Sequence, residues 1–300
     1  MRYKVRHSTE YYYGESVPLC HNLIHMSLRQ TARQQLSSSE LTITPLPSAR
    51  HDFVDFFGNP TTWVCLQEPH DGLRVEAQSE VQVDVPAPAD TPQTPWNDFA
   101  ERLATDTSLY AQKEFTFASR LVELSRELAE YARPSFPPGR PLLACIEELT
   151  RRIYEEFFFD SSATTINTPV LEVLEHRRGV CQDFAHLEIG CLRSLGLAAR
   201  YVSGYFATMP PPGQARIAGA DRSHAWMSAY IPELGWVDFD PSKGTSVTDK
   251  HITIGWARDY EDVSPLRGVL VGGRRHSMII GVDVEPLEPL VEGDDQRSGD

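Results

Sequence analysis

Arg177-Arg178-Gly179-Val180-Cys181-Gln182-Asp183-Phe184-Ala185 is the stretch from which the rest of the chain can be read. Gly179 breaks the chain, and from Cys181 to Leu195 a helical pattern follows, with Phe184, Ala185, Ile189, Leu192 and Leu195 over a wide arc. Leu187 and Cys191 widen that arc, so the spacing predicts a mostly buried helix with Cys181 at its start. Two later pieces answer it: Ser223-His224-Ala225-Trp226 and Gly235-Trp236-Val237-Asp238-Phe239-Asp240-Pro241, both with strand-like alternation.

Together these pieces supply a thiol, an imidazole and a carboxylate. A thiol is a poor nucleophile until it ionises, and the unpaired N–H groups and dipole of a helix N-terminus favour the thiolate. An imidazole in reach takes the proton and later returns it to a leaving amine. A carboxylate on the far ring nitrogen sets the tautomer and steadies the imidazolium. Cys181, His224 and an aspartate of 235–240 fit those roles, with the backbone N–H of Cys181 as an oxyanion donor. Period-two alternation puts Asp238 and Asp240 on one strand face with Trp236, so alternation does not choose between them. Cys191 reads as a small core residue, His186 as structural, and Asp183 as an acid suited to the first helical turn.

Bulk properties narrow the field. The chain has 300 residues, enough for two domains, and 41% are hydrophobic, enough for a real core. A net charge of −14 disfavours nucleic acid or an anionic membrane surface as a partner. Five cysteines with no Cys-x-x-Cys pair argue against a disulfide framework or structural zinc and fit a reducing, cytoplasmic setting. No apolar run approaches a membrane span. No metal ligand cluster or cofactor motif stands out, so none is expected.

Outward from the centre, residues 1–86 read as a β-rich domain of short strands with turns at Gly58-Asn59-Pro60 and Asp71-Gly72. Residues 87–96 form a linker, in a stretch with four prolines between Pro86 and Pro95. Residues 97–290 form the second domain, which opens with helical patterns over Ala118–Tyr131 and Pro141–Phe158 and a short helix after Thr168-Pro169. Strand-like pieces follow at His251–Ile254, Val269–Val271 and Met278–Val282. The loop 209–219, rich in Pro and Gly, is a candidate lid, and the acidic tail 291–300 reads as disordered.

At Gly179-Val180-Cys181, His224-Ala225-Trp226 and Gly235-Trp236 through Asp240-Pro241 the chain resembles the bacterial transglutaminase-like family of the papain-like cysteine enzymes. That register selects Asp240 over Asp238. Arg2 to Val85 resembles the β-rich domain that precedes this core in bacteria, and Arg258-Asp259-Tyr260-Glu261-Asp262-Val263 resembles a run near the family's C-terminus. The resemblance implies an α+β fold, with the nucleophile's helix packed on an antiparallel sheet and a small all-β domain in front. It implies a Cys181-His224-Asp240 triad acting on amide bonds of a peptide or protein through an acyl-thioester. Gln182, Trp226 and Trp236, which flank the three groups, are the candidates for substrate or oxyanion contacts.

The chain departs from the cross-linking enzymes of animals, which carry Gln before the cysteine and Trp after it; here Val180 and Gln182 stand there. It also has Ser242-Lys243 after Asp240-Pro241, where the family commonly has Thr-Asn. The expectation is therefore a peptidase or amidase, with acyl transfer to an amine as the alternative. A non-catalytic binding module is the rival from another class; a complete Cys-His-Asp set argues against it.

Overall fold

The computed structural model describes residues 1–85, 92–208 and 221–287. Half of the expected linker (87–91), the candidate lid and the tail 291–300 lie outside these residues.

The first domain is a pair of four-stranded antiparallel sheets. Its strands are β1 (Arg2–Val17), β2 (Leu19–Ile24), β3 (Gln34–Thr44), β4 (Ala49–Val54), β5 (Pro60–Leu66) and β6 (His70–Val83). Alternation makes this region a sandwich: in β1 Tyr3, Val5, His7 and Thr9 point inward while their neighbours face out. Val17, Cys20, Ile24, Val64, Leu66, Leu73 and Val75 fill the space between the sheets.

The second domain opens with α1 (Trp96–Thr105) and a short α2 (Tyr110–Lys113), which the periodicity did not single out. Next come α3 (Arg126–Ala132), α4 (Leu142–Glu156), β7 (Phe158–Phe159), α5 (Val170–His176), β8 (Arg178–Gly179) and α6 (Cys181–Ser194). α4 follows its predicted apolar face, burying Leu142, Ile146, Leu149 and Ile153. The helix expected over Ala118–Tyr131 is cut to Arg126–Ala132. Ser125 caps it by accepting from the Leu128 N–H, and the buried Arg193 guanidinium pulls the chain before it out of helix by binding Phe117 O and Ser119 Oγ.

β9 (Ala199–Phe206), β10 (Ser223–Ile231), β11 (Gly235–Asp240), β12 (Thr245–Ser246) and β13 (His251–Ala257) form one antiparallel sheet, ordered β12-β11-β10-β9-β13. α6 packs on it, every residue from Asp183 to Arg193 being buried. Leu187, Cys191, Tyr201, Ala225, Met227, Ala229 and Phe239 share that core. This is the α+β arrangement expected.

The second domain does not run to residue 290. β14 (Leu266–Val271) pairs with β2, and β15 (His276–Leu287) pairs with β1 along twelve residues. Both complete sheets of the first domain. Antiparallel pairing with a strand from the far end of the chain has no local signal, so a boundary drawn from a proline-rich stretch could not show it. Among the described residues no helix is long and apolar enough to cross a membrane.

Candidate active site

Cys181 is the first residue of α6, partly exposed. The local chain explains why the helix begins there. Val180 is extended and its N–H donates to Asp183 Oδ2 at 2.8 Å, so the acid at the third helical position caps the turn. The reciprocal bond of a capping box is missing, because valine offers no acceptor. Thr164 Oγ1 donates to the same oxygen at 2.6 Å. Burial, only partly offset by these two bonds, holds the Asp183 carboxyl above its ordinary range. The N–H groups of Cys181 and Gln182 have no partner within the helix and stay available at the thiol.

Gly179 is required by this cap. A Cβ there would sit 2.7 Å from Asp183 Oδ2 and 2.8 Å from its Cβ. Gly179→Ala is expected to expel the capping carboxylate, costing about 1–3 kcal/mol in chemical denaturation. It should also slow alkylation of Cys181 as the first turn frays.

His224 and Asp240 come from neighbouring strands. The β10–β11 register sets Met227 opposite Phe239 and Ser228 opposite Asp238. Asp240 thereby reaches the end of β10 that carries His224, whereas Asp238 lies further along. His224 Nε2 donates to Asp240 Oδ2 at 2.7 Å. Cys181 acts on the same ring and raises its pKa, and with Nε2 committed to Asp240 the nitrogen left for the thiol is Nδ1. Burial of the ring opposes its charge. The bonds to Asp240 and Cys181 outweigh this and push His224 up to about 9.

Asp240 is fully buried, and burial alone would raise its pKa. Its bonds to His224, His251 and Ser242 reverse that and hold it well below the usual carboxylate range. Ser242 binds Oδ1 through both its N–H (2.9 Å) and Oγ (2.7 Å). A hydroxyl at 242 is therefore put to use, and serine supplies it as threonine would.

His251 was missed by sequence reasoning. Its Nε2 lies 3.1 Å from the same Asp240 Oδ2 that takes His224. It stands on β13, across β9 from β10, eleven residues after Asp240, a spacing that belongs to no periodicity. His224, Asp240 and His251 place three ligand-type atoms within 4.8 Å of one another. A metal would need the Nε2 lone pair of His251. The Thr248 N–H points at His251 Nδ1 at 3.0 Å, so Nδ1 is the acceptor and Nε2 carries the proton. The donor set thus suits a carboxylate with two imidazole donors rather than a cation.

The flanking candidates have different fates. Gln182 is near Cys181, its amide reaching back to Ile166 O at 3.4 Å. Trp226 is fully buried, with its ring 5.2 Å from that of His251, and supports the site from beneath. Gly204 makes room for it, since a Cβ there would lie 2.4 Å from the indole and 2.2 Å from Ile252 O. Trp236 pairs with Tyr230, six residues along β10 from His224, or about 20 Å at 3.3 Å per residue. There it lies under the Arg200 guanidinium, 4.2 Å from its ring centre, and is not brought to Cys181, His224 and Asp240. The Lys243 ammonium rests 4.9 Å over the Phe206 ring, which itself touches His224 and His251.

Residues 3–82 match the model of the bacterial transglutaminase-like N-terminal region, and residues 125–241 match that of the transglutaminase-like superfamily. An uncharacterized protein of Mycobacterium tuberculosis is 41% identical over 296 residues, covering 96% of this chain and 93% of that one. A protein-glutamine gamma-glutamyltransferase of Pseudomonas aeruginosa is 27% identical over 121 residues, 39% of this chain and 18% of that one. Among solved structures, a candidate cysteine protease of Cytophaga hutchinsonii superposes with a TM-score of 0.74 at 21% identity, covering 96% of this chain and 91% of that one. With both domains matched in order, the chain belongs to the bacterial transglutaminase-like family.

Proposed function

We propose that this protein is a cysteine-dependent amide hydrolase that works through an acyl-thioester on Cys181. The observation that carries the reading is the chain of contacts from Cys181 to His224 to Asp240, at the end of a buried helix. In the reactive state His224 holds the thiol's proton and Cys181 is a thiolate. The thiolate attacks the carbonyl carbon of a peptide or side-chain amide, and the oxyanion forms beside the N–H groups of Cys181 and Gln182. His224 gives its proton to the departing amine, and the acyl group stays on sulfur. Water, deprotonated by His224, then attacks the thioester and restores the thiol.

Water rather than an amine is the acceptor we favour. Val180 and Gln182 replace the residues that flank the nucleophile of the animal cross-linking enzymes. The likeness to the Pseudomonas aeruginosa transferase supports the amine as the second reading. All five cysteines are free thiols, which supports a reducing compartment such as the cytoplasm.

Iodoacetamide tests the nucleophile. Cys181 is expected to alkylate readily well below pH 8.5, faster than Cys20, Cys65, Cys145 and Cys191, all of which are buried. His224→Ala should remove that advantage. Labelling of Cys181 no faster than an ordinary thiol at every pH would defeat the proposal. A peptide library incubated with and without a primary amine then separates hydrolysis from transfer.

A further inference from the structure

We propose that the N-terminal β domain is a working part of the active site: it grips the outer edge of β13 and thereby aims His251, and His251 aims Asp240. The proposal rests on the reading of Cys181, His224 and Asp240 as a triad. It gives His251 the role of a positioning residue.

β13 ends its sheet, and an end strand presents a row of unpaired N–H and C=O groups. Here two buried side-chain amides of the first domain take the place of a neighbouring strand. Gln34 Nε2 donates to Thr253 O at 2.7 Å while Gln34 Oε1 accepts from Thr253 N at 2.7 Å. Asn59 Nδ2 donates to Trp256 O at 2.9 Å while Asn59 Oδ1 accepts from Trp256 N at 3.0 Å. Both amides are themselves pinned. Gln34 Nε2 also donates to Arg29 O, and Asn59 is held by Asp55 and by Arg29 Nη1. Gly255 is needed in the grip, because a Cβ there would meet Asn59 Oδ1 at 2.6 Å.

Apolar contacts already join the domains, through Tyr3, Val5, Val81 and Val83 against Tyr205, Ile252 and Ile254. Such contacts hold surfaces together without setting a strand's position to a fraction of an ångström. Paired amide bonds do set it, because each is directional. Arg33 extends the grip to the turn before β13, with Nη2 donating to Thr248 O at 2.8 Å and reaching His251 O at 3.5 Å. The Thr248 N–H then holds His251 Nδ1, and the ring lies between Phe206 and Trp226. The charged or titratable groups facing this ring are Asp240 and His224 within the sheet and Arg33 from the first domain. Every contact that sets the ring directs its Nε2–H at Asp240 Oδ2, the oxygen that also receives His224.

Two readouts test this without a substrate: the titration midpoint of the His224 ring by carbon-detected NMR, and the alkylation rate of Cys181 at pH 7. His251→Ala is expected to drop the midpoint from about 9 toward 6.5 and to slow alkylation about tenfold to a hundredfold. His251→Gln, which keeps an N–H donor, should restore most of both. Gln34→Ala is expected to move both readouts the same way and to add little in the His251→Ala background, because the two act in series. Arg33→Ala, outside the buried pairs, serves if Gln34→Ala fails to fold. An unchanged or raised midpoint in His251→Ala would overturn the proposal, as would equal effects of Gln34→Ala in both backgrounds. Slow labelling of Cys181 in the unaltered protein would count against the nucleophile instead, and the His224 midpoint would still decide the role of His251.

Discussion

Replacing Cys181 with alanine is expected to abolish turnover, by at least about 10⁴-fold, while leaving the fold intact. The two halves of this expectation have separate physical origins. On the proposed mechanism turnover depends on a covalent bond to sulfur, and the two neighbouring groups are already committed elsewhere. His224 Nε2 is committed to Asp240, and Asp240 already accepts from both histidines and from Ser242. Stability depends chiefly on the cap and the fully buried face of α6, from Asp183 to Arg193, and the half-buried Cys181 packs only at the margin of that core. Alanine is the best helix former, so the change in unfolding free energy should stay within about 1 kcal/mol. Steady-state hydrolysis of a responsive peptide, read beside thermal unfolding, checks both. More than one hundredth of the original rate would place the nucleophile elsewhere.

The second large effect is at Asp240. Asp240→Asn is expected to lower the rate by about 10²–10⁴-fold and to reshape stability against pH. An amide presents one acceptor oxygen, where the carboxylate now accepts from His224 and His251 at Oδ2 and from Ser242 at Oδ1. Whichever way it turns, its NH₂ faces donors. The sign of the pH effect follows from the pair. His224 is raised from 6.5 to about 9, so its share of stability is complete below 6.5 and is lost as pH rises through about 9. Asp240 is lowered from 3.8, so its share is present above 3.8 and is lost as pH falls below that value. These are two ends of one interaction, and it is whole only between 3.8 and 6.5. Thermal midpoints of the unaltered protein should fall on both sides of that window, and in Asp240→Asn both slopes should flatten. A midpoint profile identical to the unaltered protein's would mean that Asp240 and His224 are not coupled.

Local features of the chain were legible and distant ones were not. A helix starting at Cys181 shows in its apolar arc and in the Gly179 break, and the strands of His224 and Asp240 show in their alternation. Alternation left Asp238 and Asp240 level because both do lie on one face; what separates them is the β10–β11 register, which the family motif carries and hydrophobicity does not. The predicted helix over Ala118–Tyr131 keeps only its C-terminal part, because distant groups bind the chain before it: Arg193 takes Phe117 O and Ser119 Oγ, and Asp259 takes the Leu121 N–H. His251 and Trp236 fail in the same way. His251 reaches the site through strand order, which no local pattern encodes, whereas Trp236 is carried away from it by its place along β11, opposite Tyr230.

The pairing of β15 with β1 bears on how the molecule comes into being on the ribosome. Synthesis is vectorial, and domains generally fold as they emerge. Here β1 must wait for His276–Leu287 before both its edges are filled, and β2 must wait for Leu266–Val271. Gln34 and Asn59, which hold the strand bearing His251, belong to that unfinished domain. A nascent chain long enough to contain Cys181, His224 and Asp240 therefore still lacks the sheet edges that complete their support. On the proposed role of His251, the support of Cys181 is therefore complete only once His276–Leu287 has emerged and paired with β1.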